Sequence, residues 1–253
     1  MLSTKNLILV CAGADSAAAA RHGLPLLQIC LGVGQGGAIS RLSIPARQQG
    51  HYLGVGDLGL DGRVPGFCAE ALLYEVRKRN MRGLFADIER DTFASRTLLA
   101  GLDQLFYEAG LPLFVPLCQA QQVQYAMVVT DTAISGGSLE EYLQDLQRQY
   151  PGRIAAALRP VSADFTLPAQ NSEGKLLTAE ERQALLMRSG AQAFFSRELC
   201  ARYFTYMDEH NTGHFVLYDD AATIEAKVNR LEAAGIGHIF SMYPDIAALL
   251  PST

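Results

Sequence analysis

A single (β/α)8 barrel, an α/β fold, is what this sequence predicts, and three observations carry that expectation. Eight short apolar runs are spread along the whole chain, helical patterns with readable ends separate most of them, and 253 residues is a size such a barrel occupies. Apolar residues make up 49% of the chain and charged ones 19%, enough to bury a large core and too few charges for a disordered chain.

The runs come in order. NLILVCA follows only Lys5 and is short, so it reads as a buried first strand rather than the apolar part of a secretory leader. PLLQICLGV, HYLGVGDL, GLFADIE, PLFVPLCQ, YAMVVTD, RIAAALRP and IGHIFSMY follow, each of a length suited to a strand buried on both faces. Leu98, Leu99, Leu102, Leu105 and Phe106 make a helical stripe that Gly110 ends. Ser138 with Glu141 opens a helix that carries Tyr142, Leu143 and Leu146 inward and stops at Pro151-Gly152, and Thr178 with Glu181 repeats the capping pattern. Ile224, Val228 and Leu231 form the last stripe, closed by Gly235.

Two places break the rhythm. Between Gly32 and Gly50 no helical stripe is visible, so the second crossover is expected to be irregular. Between Ala191 and Asp220, two β-like runs join at a turn around Asn211 to Gly213, which reads as a hairpin inserted before the last helix. No linker or repeat appears, so one domain is expected to span 1–253. Gly32, Gly34 and Gly37 do spell the glycine pattern of dinucleotide-binding proteins. That pattern needs a helix at once to hold a pyrophosphate, and AISRLSIPARQQG follows instead.

Several function classes are excluded early. The net charge is −5 without a Lys/Arg cluster, which leaves no electrostatic footprint for nucleic acid or an anionic membrane surface. No stretch approaches the apolar length of a membrane span. Cys11, Cys30, Cys68, Cys118 and Cys200 are scattered, with no CxxC or Cys/His cluster, so buried reduced thiols in a cytoplasmic protein are expected. His210 and His214 flank the hairpin turn and read as solvated rather than metal-binding. No cofactor is expected.

The chemistry concentrates at GLFADIERD. Residues two apart on a strand share a face, so Phe85, Asp87 and Glu89 lie on one side. On a fourth barrel strand, Phe85 would enter the interior and the two carboxylates would emerge at the C-terminal mouth, where sites of this fold sit. Two adjacent carboxylates cannot ionise independently, and one of them is expected to keep its proton; a solvated strand end, with Glu89 paired to Arg90, is the plain alternative. Asp57, Gln119, Asp131, Arg159 and Tyr243 end other strands and are expected to converge on the same rim.

GLFADIE resembles the fourth-strand signature of family 18 glycoside hydrolases, the chitinase-like barrels, D-G-x-D-x-D-x-E, in Gly83, Asp87 and Glu89. GHFVLYDDAATIEAKVNRLEAAGIGHIFSMYPD is similar to that family's hairpin, last helix and eighth strand. The resemblance runs from about Gly83 to Asp245. It implies substrate-assisted cleavage of an N-acetylglucosamine-containing glycan. Glu89 would protonate the leaving oxygen, Asp87 would orient the acetamido group, and Asp131 would help hold the sugar. Apart from the resemblance, the strand-end positions of Asp57, Gln119 and Arg159 would let them line the same site. The sequence departs from the pattern at Arg82 and Phe85, where the first two aspartates belong, and at Thr130, where a Tyr belongs. It has no Trp, so Met242 or Tyr243 would have to replace the family's eighth-strand Trp. Three readings follow: a hydrolase, a barrel that binds glycan or a partner without cleaving, and a metal enzyme with Mg²⁺ on Asp57, Asp87 and Glu89. Tyr218, Asp219 and Asp220 resemble family residues but precede the last helix, where Asp219 or Asp220 is expected to serve as its N-cap. Tyr203, Phe204 and Tyr206 are expected to pack.

Overall fold

The computed structural model describes residues 2–42, 50–168 and 174–251. In chain order the strands are β1 (Leu7–Val10), β2 (Leu26–Val33), β3 (Ile39–Arg41), β4 (Tyr52–Asp57), β5 (Leu84–Asp87), β6 (Leu113–Pro116), β7 (Met127–Asp131), β8 (Ile154–Ala157), β9 (Ser162–Leu167), β10 (Lys175–Leu176), β11 (Phe194–Ser196), β12 (Ala201–Met207), β13 (Gly213–Tyr218) and β14 (Ile239–Met242). All eight expected runs become strands of one closed parallel sheet. Its order is β1, β14, β8, β7, β6, β5, β4, β2, and β2 pairs back with β1. This is the (β/α)8 barrel.

The helices are α1 (Ser16–Ala20), α2 (Phe67–Lys78), α3 (Phe93–Glu108), α4 (Leu139–Gln149), α5 (Ala179–Ser189), α6 (Ala221–Ala233) and α7 (Tyr243–Ile246). Their ends follow local chemistry. The Ser138 side chain accepts from the Glu141 amide, and Thr178 with Glu181 forms a full capping box. Gly110 and Gly235 take the left-handed backbone (φ 64° and 77°) that ends α3 and α6. Leu98, Leu99, Leu102 and Phe106 are buried against the sheet, as are Ile224, Val228 and Leu231.

The barrel interior is filled by Ile8, Leu27, Tyr52, Phe114, Val129, Ala155 and Phe240. The rings of Phe114 and Phe240 meet edge to face at 5.0 Å, and Tyr52 meets Phe114 at 5.5 Å. The glycine of the β5 signature also has a packing reason. A Cβ on Gly83 would lie 2.4 Å from the Pro112 carbonyl oxygen, which accepts the hydrogen bond of the Leu84 amide.

The second crossover has no helix among its described residues. Gln35–Gly37 form a tight turn, and β3 runs back antiparallel to β2. The glycine pattern therefore shapes a strand return and opens no phosphate-binding helix; residues 43–49, part of that expectation, lie outside the described residues. The insertion is larger than a hairpin at 191–220. β12 and β13 do pair across the expected turn, but β9, β10 and β11 extend them to a five-stranded antiparallel sheet that begins at Ser162 and carries α5. Phe204 is buried beneath α5 with Val216 and Tyr218, and Tyr203 stacks on Phe215 at 5.4 Å, so these rings pack. His214 is not solvated: it sits 3.0 Å from Asp164 and 3.5 Å from Asp208.

One polar knot ties the inserted sheet to α6. Lys227 and Asp219 face each other at 2.6 Å with side chains 1% exposed. Asp219 also accepts from the Val161 amide at 2.8 Å and from the Thr223 hydroxyl at 2.8 Å. Asp220 caps α6 in a reciprocal box with Thr223, which divides the labour of the two aspartates: one caps, the other locks.

Candidate active site

β5 delivers the two carboxylates by different routes. Phe85 and Asp87 share its inner face, and Asp87 lies in register with Gly56 of β4 at the C-terminal end of the barrel. The strand stops at Asp87, so Glu89 stands beyond it on exposed, non-repetitive backbone. Among the described residues no hydrogen bond or ion pair holds either carboxylate. Arg90, the expected partner of Glu89, turns to Asp57 instead.

Beneath Asp87 the surroundings are apolar. Phe85 rests against Phe240 at 5.3 Å, edge on. Gly54 and Gly56 leave a space that Ile29 fills, since a Cβ on either would lie 2.9 Å or 3.4 Å from the Ile29 side chain. Met242 follows Phe240 on the inward face of β14 and is 46% exposed at the mouth. Ile29 was not foreseen; the alternating glycines of YLGVGD were the signal, because they leave one inward position after another without a side chain.

This setting acts on the acidity of Asp87. Burial pushes the Asp87 carboxyl above its usual range, and the nearby negative charge of Glu89 pushes it further. The fold therefore favours neutral Asp87 and loses stability as pH rises from the ordinary Asp value through the raised one. Asp87→Asn, neutral at every pH, is expected to melt a few degrees higher than wild type near neutrality and at the same temperature in strong acid. Equal melting temperatures at both pH values, read by calorimetry, would contradict the assignment.

The other expected site residues do not all converge. Asp57 follows the inward Gly56, and both its oxygens are engaged by Arg90, each at 2.7 Å, and by the amides of Gly59 and Leu60. The Arg90 hydrogen bond holds its carboxyl below the usual range. Asp57 thus clamps the rim loops together, with both oxygens already engaged within the protein. Gln119 is fully buried and donates to the Glu89 and Arg90 carbonyls, so it stands behind the rim and not on its surface. Tyr243 begins α7 and packs outward, its ring 5.8 Å from His22, which leaves Met242 as the residue at the mouth. Asp131 shares the inward face of β7 with Val129, pairs with Arg159 at 2.7 Å and accepts from the Ala133 amide. Thr130, in the place of the family's Tyr, turns outward and shares a 2.6 Å hydrogen bond with Tyr142.

Cys118 departs from the expectation of buried thiols: it is exposed and lies against the Glu89 carbonyl at 3.6 Å. Among the described residues no group of three His, Cys, Asp or Glu side chains is arranged to hold a metal ion, and no helix is long and apolar enough to cross a membrane. With Asp57 turned to Arg90, the Mg²⁺ reading loses one of its three ligands.

No family model and no curated protein sequence matches the chain. Solved structures do. A chitinase from Chromobacterium violaceum superposes with a TM-score of 0.63 at 17% identity, covering 93% of this chain and 92% of that one. The spore cortex-lytic enzyme SleL of Bacillus cereus gives 0.59 at 17% identity, over 95% and 71%. A family GH18 chitinase of Cycas revoluta, in complex with allosamidin, gives 0.58 at 13% identity, over 97% of each chain. The fold is that of the chitinase-like barrels, in a divergent sequence.

Proposed function

We propose that this chitinase-like barrel binds an N-acetylglucosamine-containing glycan at its C-terminal mouth and cleaves it with help from the substrate's own acetamido group. The observation that supports this most is the pair at the end of β5: Asp87 half-buried on the face it shares with Phe85, and Glu89 exposed just past the strand with no partner of its own among the described residues. Glu89 gives its proton to the leaving glycosidic oxygen. The acetamido carbonyl attacks the anomeric carbon, forming the new C–O bond as the glycosidic bond breaks. Asp87 accepts the acetamido N–H and offsets the positive charge that develops; water then opens the cyclic intermediate, with Glu89 taking back a proton. Asp131 holds a sugar hydroxyl, and Ile29, Phe85 and Met242 offer the apolar surface on which the pyranose rests.

A specific observation favours a second reading, binding without cleavage. Phe85 leaves Asp87 without an acidic partner, and the chain has no Trp to stack on a sugar. Human YKL-39, which shares the fold at a TM-score of 0.57 and 11% identity, is described as a pseudo-chitinase that retains chitooligosaccharide binding.

The deciding experiment incubates the protein with N-acetylglucosamine oligomers and with amino-sugar cell-wall strands, reading new reducing ends alongside calorimetric binding. Turnover of either supports the hydrolase. Binding with no turnover selects the second reading, and neither binding nor turnover removes both.

A further inference from the structure

Glu89 projects from backbone that no strand supports, yet an acid must be held within a fraction of an ångström to be useful. We infer that Gln119 is the residue that positions it. Gln119 lies in the short turn after β6 and is 0% exposed. Its carboxamide nitrogen donates to two consecutive carbonyls, that of Glu89 at 3.0 Å and that of Arg90 at 3.2 Å. From the other side, β4 holds the same segment through Asp57 and the Arg90 guanidinium. The stretch that follows β5 is thus braced from both neighbouring strands, at the backbone by Gln119 and at the next side chain by Asp57.

The carboxamide oxygen shows that this arrangement serves position. It is the one side-chain atom among the described residues that is buried with no hydrogen-bond partner. A buried acceptor left unpaired lowers stability, and an apolar side chain of similar length would avoid the penalty. What an apolar side chain could not do is bond both carbonyls at once. Gln119 acts on the backbone of Glu89 and does not touch substrate, so it is a positioning residue.

This inference rests on the proposed role of Glu89, and its test separates the two. Gln119→Met keeps length and shape and removes both donors. Gln119→Glu restores one donor while burial keeps it protonated. The first readout is the backbone order parameter of Glu89 and Arg90, measured by nitrogen relaxation. In Gln119→Met it is expected to fall from the rigid range near about 0.85 toward about 0.6, with strands β4 and β6 unchanged and a melting temperature within a few degrees of wild type. In a cleavage assay, kcat is expected to fall at least tenfold with KM changed less than twofold, and Gln119→Glu to recover part of the loss. Unchanged order at Glu89 and Arg90 overturns the inference, as does a loss of order spread over the whole barrel. If wild type cleaves nothing, the proposed function falls, and the order parameters alone decide whether Gln119 fixes this segment.

Discussion

Replacing Glu89 with Gln is expected to lower glycan cleavage by about 10²–10⁴-fold, the usual contribution of a positioned proton donor, with the affinity for uncleaved oligomer nearly unchanged. The carboxamide keeps the shape of the acid and has no acidic proton to deliver, so the loss belongs to the bond-breaking step and appears in kcat rather than in binding. Asp87→Asn is expected to reduce kcat as well, for a different reason: an amide cannot offset the charge on the cyclic intermediate. The two variants also separate by pH. Burial and the nearby charge of Glu89 raise the Asp87 carboxyl above the usual carboxylate range. Asp87 must be ionised to offset the developing charge, so its raised ionisation belongs to the acid limb of the pH–rate profile, and that limb is expected to flatten in whatever activity Asp87→Asn retains. Glu89→Gln cleaving at the wild-type rate would end the assignment of the acid, whatever the fold.

The largest expected effect on stability lies away from the mouth. Lys227→Met is expected to destabilise the protein by about 3–5 kcal/mol, because it leaves the Asp219 carboxylate buried without its cation. That is a large share of the about 5–15 kcal/mol that holds a typical fold together. The charge cannot relax into water, since both side chains are 1% exposed. Asp219 also receives the Val161 amide at the entrance of β9, so the damage is expected to spread into the inserted sheet. The double variant Asp219→Asn with Lys227→Met is expected to recover much of the loss, since no uncompensated charge remains and Asn still accepts the hydrogen bond from Val161. Urea titration of the single and double variants measures both. A single-variant loss below about 1 kcal/mol would show that water reaches the pair.

The strands were legible because most of their residues are buried and read as short apolar runs whatever they pack against, with polar residues such as Asp57, Asp87 and Asp131 falling at their C-terminal ends. The helix ends were legible because capping is local: Thr178 finds Glu181 three residues away. The inserted sheet was legible only as a hairpin. β12 and β13 are neighbours in sequence, whereas β9 pairs with β13 across the whole of α5, and no local pattern records that pairing. At the site, the period of two placed Phe85 and Asp87 together on the inner face of β5. It could not foresee that the strand would stop at Asp87.

The amino-acid sequence by itself determined the barrel, the strand that carries the acids, and the order of Phe85, Asp87 and Glu89 along it, because those follow from hydrophobic period and chain order. Only the tertiary structure decided which polar groups face the mouth and which serve the frame. Asp57 went to Arg90, Gln119 to the Glu89 backbone, and Tyr243 to the outer layer, while Asp131 took Arg159 at the rim. The reason is physical. A polar side chain at a strand end takes a nearby group that can bond or pack with it, and that group comes from a different strand or loop, more than twenty residues away for each of these contacts. Likewise, the inner face that Phe85 and Asp87 share is completed by Phe240 of β14, which meets Phe85 at 5.3 Å, and by Ile29 of β2, which packs over Gly54 and Gly56, and no local pattern in the chain records those contacts.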